Sequence, residues 1–345
     1  MGPALEYGER CNKSRAVESN QRALPSPMLR LAPLALAVLL TGCQPFQRVA
    51  LSFVYESAEL PEANVTDGLP YVDGSGNPKH RFTFFAPLAD SVREAEWPTV
   101  VFVHGGGWTE GDRALTFGGE DIYGNIGRFF AARGIGAATV SYRLQPEATW
   151  REQVHDVARA VEAVRQRAEA EGGNPEALVL MGHSAGAHLV TRVAVDEEEQ
   201  ARAGLPEAAV CGVMPISGAA FDLTDRRAFE IGENYDYYGA RFGPPGEYPE
   251  LPPEGPPAEW QTEASIVPFL DADEPPFLVV YAEGDYPALI RQAEVLLGAL
   301  AERGIVHEEV IVPGSSHSRI VAALSRDDYV AGPAMLRFVR GLDCE

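Results

Sequence analysis

The chain has very little lysine, few cysteines and no long uninterrupted hydrophobic run. Lys13 and Lys79 are its only lysines among 345 residues, and the formal net charge is −22. So acidic a protein is a poor ligand for nucleic acid. The four cysteines and seven histidines do not have the spacing of a metal site. We therefore expect no nucleic-acid partner, no metal and no other cofactor.

One apolar segment near the N-terminus is too short to cross a bilayer. It spans residues 31–40 after Arg30 and is interrupted by Pro33, whereas a spanning helix needs about 20 apolar residues. A basic flank, a short apolar core and small residues at its end are typical of a secretory signal. The residues Leu40-Thr41-Gly42-Cys43 resemble the lipobox of bacterial lipoproteins. This resemblance implies a lipid on Cys43 and attachment to the membrane of the bacterial cell envelope.

These features predict the organisation of the chain. Residues 1–42 are a leader and signal, of which 1–27, upstream of Met28, are a mis-start or a disposable extension. Residues 43–62 are a tether, and residues 63–345 form one domain. A disulfide between Cys211 and Cys344 is conceivable in an oxidising compartment, but we expect two isolated thiols.

Beyond the tether, short apolar strands alternate with amphipathic helices. Strands are predicted at 81–86, 99–103, 135–142, 177–181, 210–216, 277–282 and 306–312, and helices at 126–133, 151–170, 187–195, 287–303 and 335–342. This order predicts an α/β domain with a mainly parallel sheet and helices on both faces. The alternation stops in a proline-rich insertion, 221–268, which is either a lid over the substrate or a surface excursion.

The residues Gly182-His183-Ser184-Ala185-Gly186 lie between an apolar strand and an apolar-periodic helix. A strand, a tight turn and a helix in this order form a nucleophile elbow, in which the serine is strained and exposed. Ser184 is therefore the candidate nucleophile.

A serine hydroxyl needs a base, and the base needs a carboxylate to orient it. Among the histidines, His183 and His188 are too near the elbow to turn back on Ser184, and His307 falls inside the last strand. His317, in the loop after that strand, is the candidate base.

For the acid, Glu283 and Asp285 both follow the strand 277–282. We prefer Asp285, which is farther out on the loop, and keep Glu283 as the alternative.

A glycine run follows the strand 99–103 and supplies the last component that a serine nucleophile needs. Backbone N–H groups of Gly105, Gly106 and Gly107, together with that of Ala185, are candidates for an oxyanion hole, which stabilises the negative charge formed during acyl transfer.

Longer motifs around these residues resemble one known family. They are His-Gly-Gly-Gly-Trp-Thr-Glu-Gly-Asp-Arg from His104, Ser-Tyr-Arg-Leu from Ser141, Gly-His-Ser-Ala-Gly-Ala-His from Gly182, and Phe221-Asp222-Leu223. Over about residues 71–339 they are similar to the α/β-hydrolase branch of arylformamidases (kynurenine formamidases) and feruloyl/acetyl-esterase-like carboxylesterases. The resemblance implies an α/β-hydrolase fold with an eight-stranded sheet, and Gln292 after Asp285 echoes a family pattern. The strand 81–85 and the insertion depart from it.

Taken together, the residues and the resemblance predict a serine hydrolase that cleaves carboxylic esters through an acyl-enzyme. Its partner is a small-molecule ester, or a formamide if the chain is an arylformamidase. A catalytically inactive surface-binding lipoprotein is the alternative of another class. The sequence leaves the oligomeric state open.

Overall fold

An eight-stranded sheet forms the centre of the computed structural model, which describes residues 55–92, 96–232, 234–248, 250–326 and 328–344. The predicted leader and Cys43 lie outside the described residues. The strands are β1 (Val65–Pro70), β2 (Arg81–Phe85), β3 (Trp97–Val103), β4 (Gly136–Val140), β5 (Gly173–His183), β6 (Val210–Ile216), β7 (Phe277–Ala282) and β8 (His307–Val312).

The strands lie in the order β1-β2-β4-β3-β5-β6-β7-β8. Strand β2 is antiparallel to both of its neighbours, and every other neighbouring pair is parallel. The predicted α/β-hydrolase fold, with a mainly parallel eight-stranded sheet, is therefore confirmed.

Ten α-helices surround this sheet in the described ranges. They are α1 (Ile122–Ala131), α2 (Trp150–Ala170), α3 (Ala185–Val195), α4 (Glu197–Ala203), α5 (Arg226–Gly232), α6 (Tyr235–Phe242), α7 (Glu259–Ala264), α8 (Pro287–Arg303), α9 (Arg319–Ala322) and α10 (Ala331–Gly341). None of the helices in these ranges has the length and apolarity to cross a membrane.

The sheet separates two hydrophobic cores. Along β3, Val101 and Val103 belong to one core, which α2, α3 and α8 cover. Val100 and Phe102 belong to the other, which α1 and α10 cover. Because successive strand residues point to opposite faces, a strand buried on both sides reads as a continuous apolar run. That run is the reason the central strands could be predicted.

Helix ends with strong local signals also match the prediction. Helix α8 spans the predicted residues, since Pro287 suits the first helical position and Gly304 takes the left-handed conformation just after the last. Helix α2 begins after Thr149, whose side chain and that of Glu152 form a reciprocal capping box.

Several elements were not predicted, among them strand β1, helices α4 to α7 and helix α9. Strand β1 was missed because Val-Thr-Asp-Gly-Leu-Pro has no apolar alternation, and it pairs only with β2 at one edge of the sheet. The insertion, which showed no clear pattern, contains the short helices α5, α6 and α7. Helices of six to eight residues hold too few turns for a periodic signal.

The described end of the predicted tether, residues 55–62, packs against the domain. The Ala58 N–H donates to the Asn125 side chain at 2.6 Å, and Asn125 in turn donates to the Glu56 carbonyl at 2.8 Å. Leu60 is buried among the residues that α1 covers. This stretch is therefore bound to the domain.

The expectation of two isolated thiols is wrong. Cys211 and Cys344 form a disulfide, with their Cα atoms 5.6 Å apart. Cys211 lies near the start of β6 and Cys344 follows α10, so the bond ties the C-terminal segment to the sheet. Their separation of 133 residues gave the sequence no means of judging this distance.

Candidate active site

Ser184 lies in a strained turn between β5 and α3. Its backbone has φ 55° and ψ −120°, a conformation that costs energy for any residue with a side chain. The Ser184 N–H donates to the Ile216 carbonyl of β6 at 3.0 Å, which helps to hold the turn. The strain is typical of a nucleophile elbow.

The two glycines of the elbow are required by close backbone contacts. A Cβ atom on Gly186 would lie 2.2 Å from the Val103 carbonyl oxygen of β3, and one on Gly182 would lie 2.3 Å from the Gly186 carbonyl oxygen. The spacing Gly-x-Ser-x-Gly therefore follows from how tightly α3 packs on the strand ends.

The structure brings Ser184, His317 and Asp285 together. The Ser184 Oγ atom is 3.0 Å from His317 Nε2, and His317 Nδ1 is 2.9 Å from Asp285 Oδ1. With Nδ1–H donating to the carboxylate, Nε2 is left free to accept the serine proton. The three residues lie on loops after β5, β7 and β8, where the carboxyl ends of parallel strands meet.

Asp285 is suited to remain charged. Its side chain is fully buried, and burial alone would raise its pKa. The hydrogen bond and the charge of His317, the nearby Ser217 hydroxyl and the Tyr286 N–H together hold the pKa of Asp285 below its usual value instead. The alternative, Glu283, is exposed and accepts from the Gly314 N–H at 2.8 Å. Glu283 therefore supports the His317 loop without contacting His317.

His183, set aside as a base, nevertheless contacts the site. Its Nε2 atom is 2.9 Å from the His317 carbonyl oxygen, and the two rings are 4.6 Å apart. Burial and the neighbouring His317 lower the pKa of His183 to about 3. The ring is therefore neutral near pH 7, with Nε2–H donating to the loop that carries His317. Its position beside Ser184 was the only sequence signal for this role.

The glycine loop approaches the serine directly. A Cβ atom on Gly105 would lie 3.0 Å from Ser184 Cβ. The buried His104 stacks on Tyr142 at 4.4 Å, and its Nδ1 atom is 2.7 Å from the Gly105 carbonyl oxygen. Ala185 is the first residue of α3, so its N–H has no acceptor within the helix. Gly105 and Ala185 thus lie beside the nucleophile, and the oxyanion-hole role of Gly105, Gly106, Gly107 and Ala185 stays a prediction.

Other residues of the sequence motifs hold the scaffold. Asp112 accepts from the Ser141 hydroxyl at 2.8 Å, which joins the glycine loop to the segment after β4. Arg143 binds the buried Asp156 of α2 through two hydrogen bonds of 2.8 Å. Gln292 exchanges two hydrogen bonds with the backbone of Asp222, at 2.8 and 2.9 Å. These side chains fix loops and do not reach the serine.

No group of three or more His, Cys, Asp or Glu side chains in the described part of the chain could hold a metal ion. The arrangement at Ser184 is instead one that can act by proton transfer and nucleophilic attack.

Comparisons with known proteins find similar sequences among esterases. The BD-FAE family model matches residues 88–233. Esterase LipC of Mycobacterium tuberculosis is 26% identical over 67% of the chain and 57% of its own length. A probable isoprenylcysteine alpha-carbonyl methylesterase of Oryza sativa subsp. japonica is 26% identical over 91% of the chain and 75% of its own length. The chain thus spans little more than half of LipC.

Solved structures share the fold. Esterase B from Lactobacillus rhamnosis superposes with a TM-score of 0.63 at 20% identity, over 90% of this chain and 94% of that one. The hyperthermophilic esterase from Pyrobaculum calidifontis gives 0.62 at 22% identity, over 92% and 97%. The chain is thus similar in sequence and in fold to esterases.

Proposed function

We propose that this chain hydrolyses carboxylic esters of small molecules through an acyl-enzyme, with Ser184, His317 and Asp285 as its catalytic triad. The observation that carries the proposal is the position of His317, which lies within 3.0 Å of the serine hydroxyl and 2.9 Å of the Asp285 carboxylate. The esterases among the relatives support the reaction class.

In the first half of the reaction, Ser184 Oγ attacks the acyl carbon while His317 Nε2 accepts the hydroxyl proton. The imidazolium is stabilised by the ionised Asp285, and the oxyanion by N–H groups of the glycine loop and Ala185. Collapse of the tetrahedral intermediate breaks the ester bond, and His317 returns the proton to the leaving alcohol. Water then repeats these steps on the acyl-enzyme and releases the acid. No cofactor takes part.

Replacing Ser184 with Ala is the direct test. We expect hydrolysis of short p-nitrophenyl esters to fall by about 10⁶-fold, and labelling by a fluorophosphonate probe to disappear. If the wild-type protein neither labels nor turns over esters, the alternative of an inactive surface-binding lipoprotein replaces this proposal. Faster turnover of N-formylkynurenine than of aryl acetates would instead assign the arylformamidase reaction.

The proposed location is the bacterial cell envelope, with a lipid on Cys43 as the anchor. The lipobox-like sequence supports it, and so does the Cys211–Cys344 disulfide, since such bonds persist mainly in oxidising compartments. Mass spectrometry of the protein expressed in a lipoprotein-processing host tests this directly. An acylated Cys43 at the mature N-terminus is the expected result, and an unmodified Cys43 contradicts it.

A further inference from the structure

Helix α6 of the insertion lies against the glycine loop through Arg241. The Arg241 Nε–H donates to the Gly107 carbonyl at 2.9 Å, and Nη1 donates to the Tyr237 carbonyl one turn earlier, also at 2.9 Å. The guanidinium carbon lies 3.4 Å from the centre of the Tyr237 ring. The side chain that binds the loop is therefore itself fixed by its own helix.

A second connection joins the same two segments. Gln145 donates through Nε2 to the Arg241 carbonyl at 3.0 Å, and through its backbone N–H to the Trp108 carbonyl at 2.9 Å. The buried Trp108 packs edge-on against Phe242 of α6, with ring centres 4.8 Å apart. The insertion and the glycine loop are thus linked by hydrogen bonds and by a packed aromatic contact.

The glycine loop needs such support because its backbone is strained. Gly107 and Trp108 have φ values of 58° and 64°, and a bulky residue such as Trp108 adopts a positive φ only where its surroundings impose it. Tyr237 also packs closely on Gly107, since a Cβ atom on Gly107 would lie 2.3 Å from the Tyr237 hydroxyl oxygen.

From these contacts we infer that Arg241 is a positioning residue for the oxyanion hole, and that the insertion is a fixed part of the active site rather than a lid. By holding the Gly107 carbonyl, Arg241 fixes the loop whose N–H groups face the tetrahedral intermediate. This inference rests on the ester hydrolysis proposed above and concerns the same site.

The test compares Arg241→Ala and Arg241→Lys with Arg227→Ala as the matched control. Arg227 belongs to the same insertion, but its exposed side chain pairs with Glu230 at 3.3 Å. Steady-state kinetics on p-nitrophenyl butyrate are measured together with the inhibition constant of phenylboronic acid, whose serine adduct resembles the tetrahedral intermediate.

For Arg241→Ala we expect kcat to fall by about 10- to 100-fold with KM nearly unchanged, less than the 10²–10³ lost with a direct oxyanion donor. Affinity for the boronic acid should fall by a similar factor, because only the tetrahedral state uses the oxyanion hole. Arg241→Lys should recover part of both, and Arg227→Ala should match the wild type.

Wild-type kcat and boronic-acid affinity in Arg241→Ala would overturn the inference, and so would a change confined to KM. If Arg241→Ala fails to fold by circular dichroism, Arg241→Gln, which keeps an N–H donor, provides the same comparison with Arg241→Lys. Failure of the proposed function is a separate result, since it would appear as a wild-type protein that neither turns over esters nor reacts with a fluorophosphonate.

Discussion

At the scale of single residues, the site depends on how each polar group is placed relative to solvent. The Asp285 side chain is fully buried, whereas that of His317 keeps 19% of its surface exposed. The carboxylate therefore acts on the imidazole with little screening by water, while the imidazole can still meet substrate. Exposure of this kind separates Asp285 from Glu283, which differ by only two positions in the chain.

Replacing Asp285 with Asn tests this distinction. The amide can donate but no longer carries the charge that stabilises the imidazolium, and it favours the wrong tautomer of His317, so we expect kcat to fall by about 10⁴-fold. Glu283→Gln, measured on the same ester, should change kcat little because Glu283 only binds the Gly314 N–H. A larger loss in Glu283→Gln than in Asp285→Asn would reverse the assignment.

At the scale of secondary structure, the elbow depends on close packing between α3 and β3. Gly186 is the contact point, because its Cα faces the Val103 carbonyl with no room for a methyl group. Helix α8 has a contrasting glycine, Gly298, where an added Cβ atom meets nothing within 4 Å. Packing therefore requires a glycine at position 186 of the chain but not at position 298.

This contrast gives a paired stability prediction. Gly186→Ala must push α3 away from the backbone of β3 and should lower the free energy of unfolding by about 1–3 kcal/mol, with loss of activity. Gly298→Ala should raise it by about 0.5–1 kcal/mol through better helix propensity. Urea unfolding of both variants measures the effect, and an unperturbed Gly186→Ala would contradict the packing argument.

At the scale of the whole molecule, the disulfide closes a very long loop at the end of the sheet opposite the site. Cys211 lies at the start of β6, while the triad loops follow the carboxyl ends of the strands. Stability and catalysis are therefore expected to be separable.

The double variant Cys211→Ser/Cys344→Ser should lose about 5 kcal/mol of stability by the chain-entropy estimate for 133 residues. Its kcat on p-nitrophenyl esters should stay near that of the wild type at temperatures where it remains folded. Wild-type protein unfolded with and without a reducing agent provides the control, and equal midpoints in the two conditions would contradict the prediction.

Acid sensitivity is a second property of the whole molecule. Burial lowers the pKa of His104 to about 4, of His183 to about 3 and of His188 to about 4. The unfolded chain protonates these histidines near pH 6.5 while the folded chain does not. Stability should therefore fall as the pH falls below 6.5, by about 1.4 kcal/mol per pH unit for each histidine. Burial raises the pKa of Glu274 to about 7. The folded chain therefore protonates Glu274 before the unfolded chain does as the pH falls, which offsets the loss of stability from one of the three histidines.

Urea unfolding at pH 7 and pH 5 measures this dependence. His188→Gln keeps a donor for the Ala264 carbonyl, to which His188 Nε2 lies at 2.8 Å, and it removes one titrating group. The variant should therefore show a smaller loss between the two pH values than the wild type. Equal stability of the wild type at both would contradict the buried, neutral state of these rings.

Much of this protein could be predicted from its sequence because the relevant signals are local. Buried strands read as apolar runs, helix α8 is bounded by a proline and a glycine, and the elbow is a contiguous motif. Strand β1 and helices α5 to α7 lacked such signals, since they owe their stability to partners elsewhere in the chain.

The sequence by itself determined the order of the central strands and the longer helices, the strained serine and the candidates for its partners, because periodicity and turn chemistry act between near neighbours. Only the tertiary structure decided among groups that the chain keeps far apart. It brought Asp285 rather than Glu283 to His317, joined Cys211 to Cys344, and set Arg241 on the Gly107 carbonyl. The reason is physical: a hydrogen bond or a disulfide depends on distances of a few ångströms, and sequence separation does not encode them.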